Sequence, residues 1–471
     1  MPLATRVLAR IIYNYMEIQE TKIKLLALVL LFSIIGILIF NIFSYHPILG
    51  YDAEAHDGYI DHLSRYLPDS INLPLKENTR EYFNPPASYL FPSIVQVICR
   101  NIIEAQDQLL ACKPYYNKAT QIFQSFLYLL TLLINMKTMQ LFTKSKYFLN
   151  ISYLLPVSIL AVNYRTISMI RGEVYILFFL SLLLNRFLKL VQSKFKYSLL
   201  DIAVFGFLIG LLALSRQWAF LLFPGFLILV LTIEKMFRKK YLIFIIPVFI
   251  IGFFVSSWFY FNLYFEYGSF TSFNKDSSGF NLTNQPLSFY LPFGEEITYM
   301  FTKPIRPYYG NTLLPILYSD FWGDYWGYFV FTSRFLDVGS DQLLIGDYLA
   351  RVNIVSLVPT FLILFGFYKI SKKYKKNIFI RYITISTAFS FYGYLWFLIS
   401  YPAPPTGDTI KATYMVQVFN MIIFLFALWL DQYKKVNYKK YLLIIGIFIF
   451  VFLHNFSSYL SHFPINFINT L

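Results

Sequence analysis

The sequence predicts an all-α polytopic membrane protein, a bundle of about eleven transmembrane helices. Three observations predict it. The 471 residues are 57% hydrophobic and 21% aromatic but only 14% charged, where a soluble domain carries about a quarter charged residues. Apolar runs of about 16 to 23 residues recur along the whole chain, long enough to cross a hydrocarbon core about 30 Å thick at 1.5 Å per residue. Basic residues cluster in every second connection between those runs.

The first run, Leu25 to Phe43, follows Arg6, Arg10, Lys22 and Lys24, and no small-x-small site comes after it. It therefore reads as a retained span, not a cleavable signal peptide. The next runs are Ile122–Phe142, Tyr147–Val162, Val174–Leu190, Leu199–Leu214, Trp218–Ile233 and Tyr241–Leu263. Val352–Ile370, Ile378–Ile399, Met415–Leu430 and Tyr441–Leu460 complete the set. Lys144 and Lys146, then Lys189, Lys194 and Lys196, then Lys235 to Lys240, Lys372 to Lys376 and Lys434 to Lys440 all fall on the side of the N-terminal arginines. That is the positive-inside pattern. The net charge of +15 is then a topology signal facing anionic headgroups, not a nucleic-acid footprint. "ASYLFPSIVQVICRNII", Ala87 to Ile103, is apolar enough to tempt a twelfth span, but a crossing there inverts every later cluster. It is expected along the membrane surface, apolar side down.

This topology leaves large first and fourth external loops, residues 44–121 and 264–351, and a shorter one at Tyr401–Lys411. No fixed-period repeat or low-complexity linker interrupts the chain, so residues 1–471 read as one membrane domain.

Ionisable groups concentrate in those loops. Asp52, Glu54, His56, Asp57, Asp61 and His62 lie within eleven residues directly after the first span. A half-shielded carboxylate there can serve as general base, and a solvated amphipathic helix is the plainer alternative. In "EYFNPPASYL", Pro85 and Pro86 set up a helix start, with Glu81 and Asn84 just before it. Arg165, Arg171, Arg216 and Lys411 sit at outer span ends, the face that positive-inside bias depletes. They suit an anionic ligand such as a phosphate, or else snorkelling and local pairing, for instance Arg171 with Glu173. In "YSDFWGDYWGYF", Asp320 and Asp324 lie among aromatic rings, which suits a sugar as well as an interfacial aromatic belt. Cys99 and Cys112, the only cysteines, either bridge or stay separate. No P-loop, GxSxG or dinucleotide fingerprint occurs, and the histidines form no recognised metal pattern.

Taken in order, these motifs resemble the integral-membrane glycosyltransferases of the GT-C superfamily, the group that includes protein O-mannosyltransferases and bacterial lipid-glycosylating enzymes. "YDAEAHDGYIDHLSRYLP" is similar to the family's first outer loop, and "EYFNPPASYLF" to its Pro-Pro-x-x-Tyr segment. "IRGEVYILFF", "GLLALSRQWAFLLFPG", "SSWFYFNLYFEYGSF" and "IKATYM" resemble four further stretches. The resemblance implies a polyprenyl-phosphate-linked sugar as donor and a lipid, glycan or protein acceptor, with direct, inverting transfer on the outer or lumenal membrane face. It implies Asp52 as general base, and Glu54, His56, Glu81 and Glu173 as acceptor-orienting or metal-binding residues. Arg216, Lys411 and Tyr414 then contact the donor phosphate, while Asp320 and Asp324, read from their aromatic setting, are candidates for acceptor or sugar contacts. A divalent metal is compatible with this set, and no other cofactor is implied. The expected location is a bacterial inner membrane, or the endoplasmic reticulum in a eukaryote. One departure stands out: Thr413 occupies the place of an Arg in the family's Lys-x-Arg-Tyr motif. A transporter or flippase for lipid-linked sugars, and a polysaccharide polymerase or ligase, remain the alternative functions. The topology is testable: single cysteines at Asn78 and Lys376 are expected to label from outside and inside respectively. Labelling of both from one side contradicts it.

Overall fold

The computed structural model describes residues 3–47, 50–104, 107–142, 146–330 and 339–462, and all regular structure among them is helical. The side chains of residues 1–22, 143–149 and 331–343 lie outside the description, so Arg6, Arg10, Lys22, Lys144 and Lys146 are not placed.

The chain begins with α1 (Leu3–Ser44), α2 (Ala53–Tyr66), α3 (Ala87–Arg100) and α4 (Gln108–Gln140). Then come α5 (Lys146–Ser158), α6 (Ala161–Ser168), α7 (Glu173–Gln192), α8 (Leu199–Ser215), α9 (Phe223–Thr232) and α10 (Lys235–Tyr267). Three short helices, α11 (Leu287–Tyr290), α12 (Glu295–Met300) and α13 (Leu313–Trp322), precede α14 (Gly339–Val355) and α15 (Leu357–Lys373). The last are α16 (Ile378–Ser400), α17 (Val416–Val436) and α18 (Tyr438–His454). Seven helical segments among the described residues are long and apolar enough to cross a membrane: Ile23–Ser44, Gln108–Gln140, Glu173–Gln192, Lys235–Tyr267, Leu344–Lys373, Ile378–Ser400 and Ala412–Val436.

Four expected spans fall on shorter pieces, for local reasons. Tyr147–Val162 is broken after Ser158, where Pro156 withholds a backbone N–H and Leu160 is extended. Beyond the break α6 is buried along its whole length. Trp218–Ile233 opens as a 3-10 turn, Gln217–Leu222, before α9. Leu199–Ser215 is apolar but only 17 residues long, and α18 stops at His454. The first long connection also ends earlier than expected, because α4 already starts at Gln108, capped by the Asp107 carboxylate accepting from the Leu110 N–H at 3.1 Å.

The packing aligns helix ends, and that positions the site. α8 lies against α10 with glycine on both sides: a Cβ on Gly206 would meet the Val248 carbonyl at 2.9 Å, and one on Gly252 the Gly206 carbonyl at 3.2 Å. α7 and α17 start at one end of the bundle and finish in Lys189, and in Lys434 and Lys435. At 1.5 Å per residue these basic turns lie about 30 Å from the ends where the helices begin. α3 packs on α2 and α4 and turns Ile94 and Ile98 outward at 49% and 54% exposure, with Ile102 in the turn that follows at 74%. That stripe is the apolar side expected to face the membrane surface.

Cys99 of α3 and Cys112 of α4 form a disulfide, which decides between the two readings of these residues. It closes a loop with a sequence separation of 13, worth about 3 kcal/mol in the chain-entropy account. Denatured, unreduced protein is therefore expected to take up no maleimide, and Cys99→Ser to lower the unfolding temperature. Labelling of both thiols without reductant contradicts the pairing.

Candidate active site

The aligned ends bring together ionisable side chains from five parts of the chain. Asp52 sits at the N-cap of α2 in the left-handed region, φ 54 and ψ 25, a conformation that aspartate tolerates better than most residues. Its side chain makes no capping bond. The carboxylate instead receives the Lys411 ammonium, Nζ to Oδ2, at 3.0 Å, with Arg80 3.9 Å from Oδ1. Lys411 lies between the rings of Tyr51 and Tyr414, 5.0 and 5.8 Å from their centroids. Its charge, outweighing burial, holds the Asp52 carboxyl well below the ordinary carboxylate range. Burial pulls the Lys411 ammonium down, but Asp52 outweighs that and keeps it above the usual lysine value.

Behind this pair lies a second network. Arg216 joins α8 to the 3-10 turn and spans two acids, with Nε 3.2 Å from Glu173 and Nη1 3.7 Å from Glu81. This contact depends on Gly172, where a Cβ would stand 2.3 Å from the Ser215 carbonyl oxygen. Glu173 thus pairs with Arg216, and not with Arg171 as the local spacing suggests. Asn84 donates to the Glu81 carboxylate, and burial, with Asp52 adding to it, pushes the Glu81 pKa up. His56 is fully buried, its Nε2 3.2 Å from Arg171 Nη1 and its Nδ1 2.7 Å from the Tyr89 hydroxyl. A guanidinium only donates. Nε2 therefore accepts, the proton sits on Nδ1, and the imidazole is neutral, in agreement with the lowering that burial imposes. His56 holds Arg171 in place, and Arg171 covers the Tyr51 ring at 5.2 Å.

Asp320 and Asp324 are not where a sugar reaches them; both are fully buried. Arg165 of α6 lies 2.9 Å from Asp320 and 3.7 Å from Asp324. Asp320 also accepts from the Tyr51 hydroxyl at 3.1 Å and the Ala412 N–H at 2.7 Å. Asp324 accepts from the N–H groups of Phe329 and Val330, each at 2.8 Å. These acids are spent inside the protein, and the anchored neighbours are the reason they matter: Tyr51 precedes Asp52 and Ala412 follows Lys411. Thr413, in the place of the family's arginine, bonds Thr166 at 2.8 Å. Glu54 is exposed on α2 and does not line the cleft. Among the described residues no three His, Cys, Asp or Glu side chains gather to hold a metal. The nearest donors are already engaged, His56 by Arg171 and Glu81 by Arg216 and Asn84, so they do not fit a divalent ion.

Asp52, Glu81, Arg216, Lys411, Tyr414 and Trp218 line one cleft of about 300 Å³. An apolar groove of about 290 Å³ between α8, α9 and α10 extends from Phe249 and Gly252 up to Thr271, two residues from the cleft's Phe273. Sequence reasoning missed Arg80, Gln217 and the Phe273–Lys275 wall of the cleft. Gln217 and Trp218 were visible beside Arg216 in "SRQW", but residues 273–275 lie in a polar loop with no periodic signal. Comparison with family models, curated proteins and solved structures gives no match.

The Arg165 cluster makes a direct prediction. Arg165→Met leaves two buried carboxylates without their counter-charge, a loss of about 3–5 kcal/mol. Thermal unfolding is expected to shift strongly downward; an unchanged unfolding temperature contradicts the anchoring role.

Proposed function

We propose that this protein is a GT-C-type membrane glycosyltransferase that moves a sugar from a polyprenyl-phosphate donor to an acceptor hydroxyl on the outer membrane face. The observation that carries this reading is the cleft itself: a carboxylate and a lysine 3.0 Å apart, Arg216 in the same cleft, and an apolar groove that ends at Thr271, two residues from the cleft's Phe273. A lipid-linked sugar phosphate needs that combination. Its tail lies in the groove between α8, α9 and α10, and its phosphate lies against Lys411 and Arg216, with the sugar toward Asp52. An outer-face position for this cleft is supported by the basic turns of α7 and α17, which lie at the opposite helix ends and suit the cytoplasmic side.

In the reaction the acceptor oxygen attacks the anomeric carbon and forms the new C–O bond. The bond from that carbon to the phosphate oxygen breaks, the leaving polyprenyl phosphate takes the electron pair, and the acceptor proton passes to Asp52. Inversion follows from a single displacement. In the donor-free protein Lys411 suppresses the basicity of Asp52. A donor phosphate competes for the same ammonium. As Lys411 turns to it, Asp52 loses its strongest counter-charge and its basicity rises. The donor thereby readies the base.

A transporter or flippase for lipid-linked sugars, the main alternative, needs ionisable groups near the bilayer midplane. Here they collect at helix ends. A polymerase or ligase differs only in the acceptor it takes.

The test separates base from phosphate site. Asp52→Asn is expected to lower product formation by about 10²- to 10⁴-fold. It is also expected to bind a polyprenyl phosphate at least as well as wild type, because the competing anion on Lys411 is gone. Lys411→Ala is expected to weaken that binding. Product is read by mass spectrometry of glycolipids, glycans and glycoproteins in a strain where the variant replaces the wild-type protein. A folded Asp52→Asn protein with normal product formation removes Asp52 from the mechanism.

A further inference from the structure

A second, polar cavity of about 620 Å³ adjoins the cleft and shares its Phe273, Asn274 and Lys275 wall. It is about double the cleft's 300 Å³ and lies within the roughly 300–1,000 Å³ typical of small-molecule sites. The segment from Phe270 to Lys275 borders three spaces in turn. Phe270 and Thr271 close the apolar groove, Thr271 to Lys275 line the polar vestibule, and Phe273 to Lys275 face the cleft.

The vestibule combines fixed rings with uncommitted polar groups. Tyr82 and Tyr267 lie 4.7 Å apart, and Phe273 and Tyr401 4.8 Å apart. The two tyrosine hydroxyls of the first pair are tied down: Tyr82 to Ser272 at 2.9 Å, and Tyr267 by the Lys76 N–H at 3.0 Å. The half-buried Tyr267 ring is thus held as a platform, backed by the buried Tyr82. The side chains of Asn274, Lys275 and Asp276, by contrast, are exposed and bond no other side chain or backbone group among the described residues. An amide, an ammonium and a carboxylate beside flat apolar faces match a ligand dense in hydroxyls with apolar C–H faces. A polypeptide is recognised through a strand edge, an apolar groove or a charged motif cluster. The described residues contain no strand, and this cavity's surface is mostly polar. An acyl chain is served by the neighbouring groove instead.

We propose that this vestibule is the acceptor site of the transferase described above, and that the acceptor is a glycan arriving from the aqueous side. The inference rests on that reading of the cleft. The terminal sugar passes Phe273 to Lys275 so that its hydroxyl oxygen bonds to the donor's anomeric carbon. The donor's carbon–phosphate-oxygen bond breaks, and the proton goes to Asp52. The preceding sugars lie on the Tyr267 ring and on the Phe273–Tyr401 pair.

The experiment uses the full chain in nanodiscs on an array of neutral and acidic oligosaccharides and Ser/Thr-rich peptides. Binding of a polyprenyl phosphate, followed by tryptophan fluorescence, is measured in parallel. Wild type is expected to bind at least one oligosaccharide. Tyr267→Ala is expected to lose that binding by about tenfold or more, equivalent to about 1.4 kcal/mol. Tyr267→Phe, which keeps the ring, and polyprenyl-phosphate binding by every variant are expected to hold. Glycan binding that is absent or indifferent to Tyr267→Ala, or peptide binding instead, overturns the vestibule proposal while donor binding stands. Failure of wild type to bind polyprenyl phosphate overturns the transferase reading itself.

Discussion

One ion pair, Lys411 with Asp52 at 3.0 Å, sets the requirements for much of the rest. The partners are 359 residues apart in sequence, so their meeting depends on helix ends being held in register. Buried groups hold both sides. Asp320 takes the Tyr51 hydroxyl with one oxygen and the Ala412 N–H with the other, fixing the neighbours of both members of the pair. Arg165 neutralises the acid that does this. Removing any member leaves a buried charge or donor without its partner, which is far costlier than the pair is worth in isolation. The cluster is thereby cooperative.

Burial also tunes the groups around the cleft. Arg216 carries two acids, Glu81 and Glu173, and burial raises the pKa of Glu81. On the proposed reading, the donor's singly charged phosphodiester arriving beside Arg216 and Lys411 competes with the carboxylates on those cations, and Glu81, already disposed to take a proton, yields most easily. In the proposed reaction the same substitution leaves Asp52 with less counter-charge. In that proposal donor binding and base activation are one event, with the Asp52 carboxylate held quiet by Lys411 until the phosphate arrives.

Local chemistry was legible in the sequence, and long-range pairing was not. Apolar length located all seven helical segments that are long and apolar enough to cross, though it read eleven spans, and the basic turns of α7 and α17 lie at the ends away from the cleft. Asp52, Glu81, Arg216 and Lys411 stand out by residue type in the turns between runs, Tyr414 by the family resemblance, and all five line one cleft. Four things were hidden. Pro156 and the extended Leu160 break one apolar run that hydropathy reads as continuous. Asp320 and Asp324 looked available among aromatic rings, because nothing local reveals that Arg165, some 155 residues earlier, consumes them. Glu54 belongs to the same acid cluster as Asp52, yet it lies exposed on α2 and lines no part of the cleft. The role of Gly172, a close approach between two helix ends, likewise has no signature in composition.

The most direct measurement is an experimental structure of the protein in nanodiscs with a bound polyprenyl phosphate. The account predicts the phosphate within hydrogen-bond reach of Lys411 and Arg216, the prenyl chain along α8 and α10, and Asp52 separated from Lys411 beyond its present 3.0 Å. A phosphate bound elsewhere, or one bound in the cleft with the Lys411–Asp52 pair still closed, contradicts it.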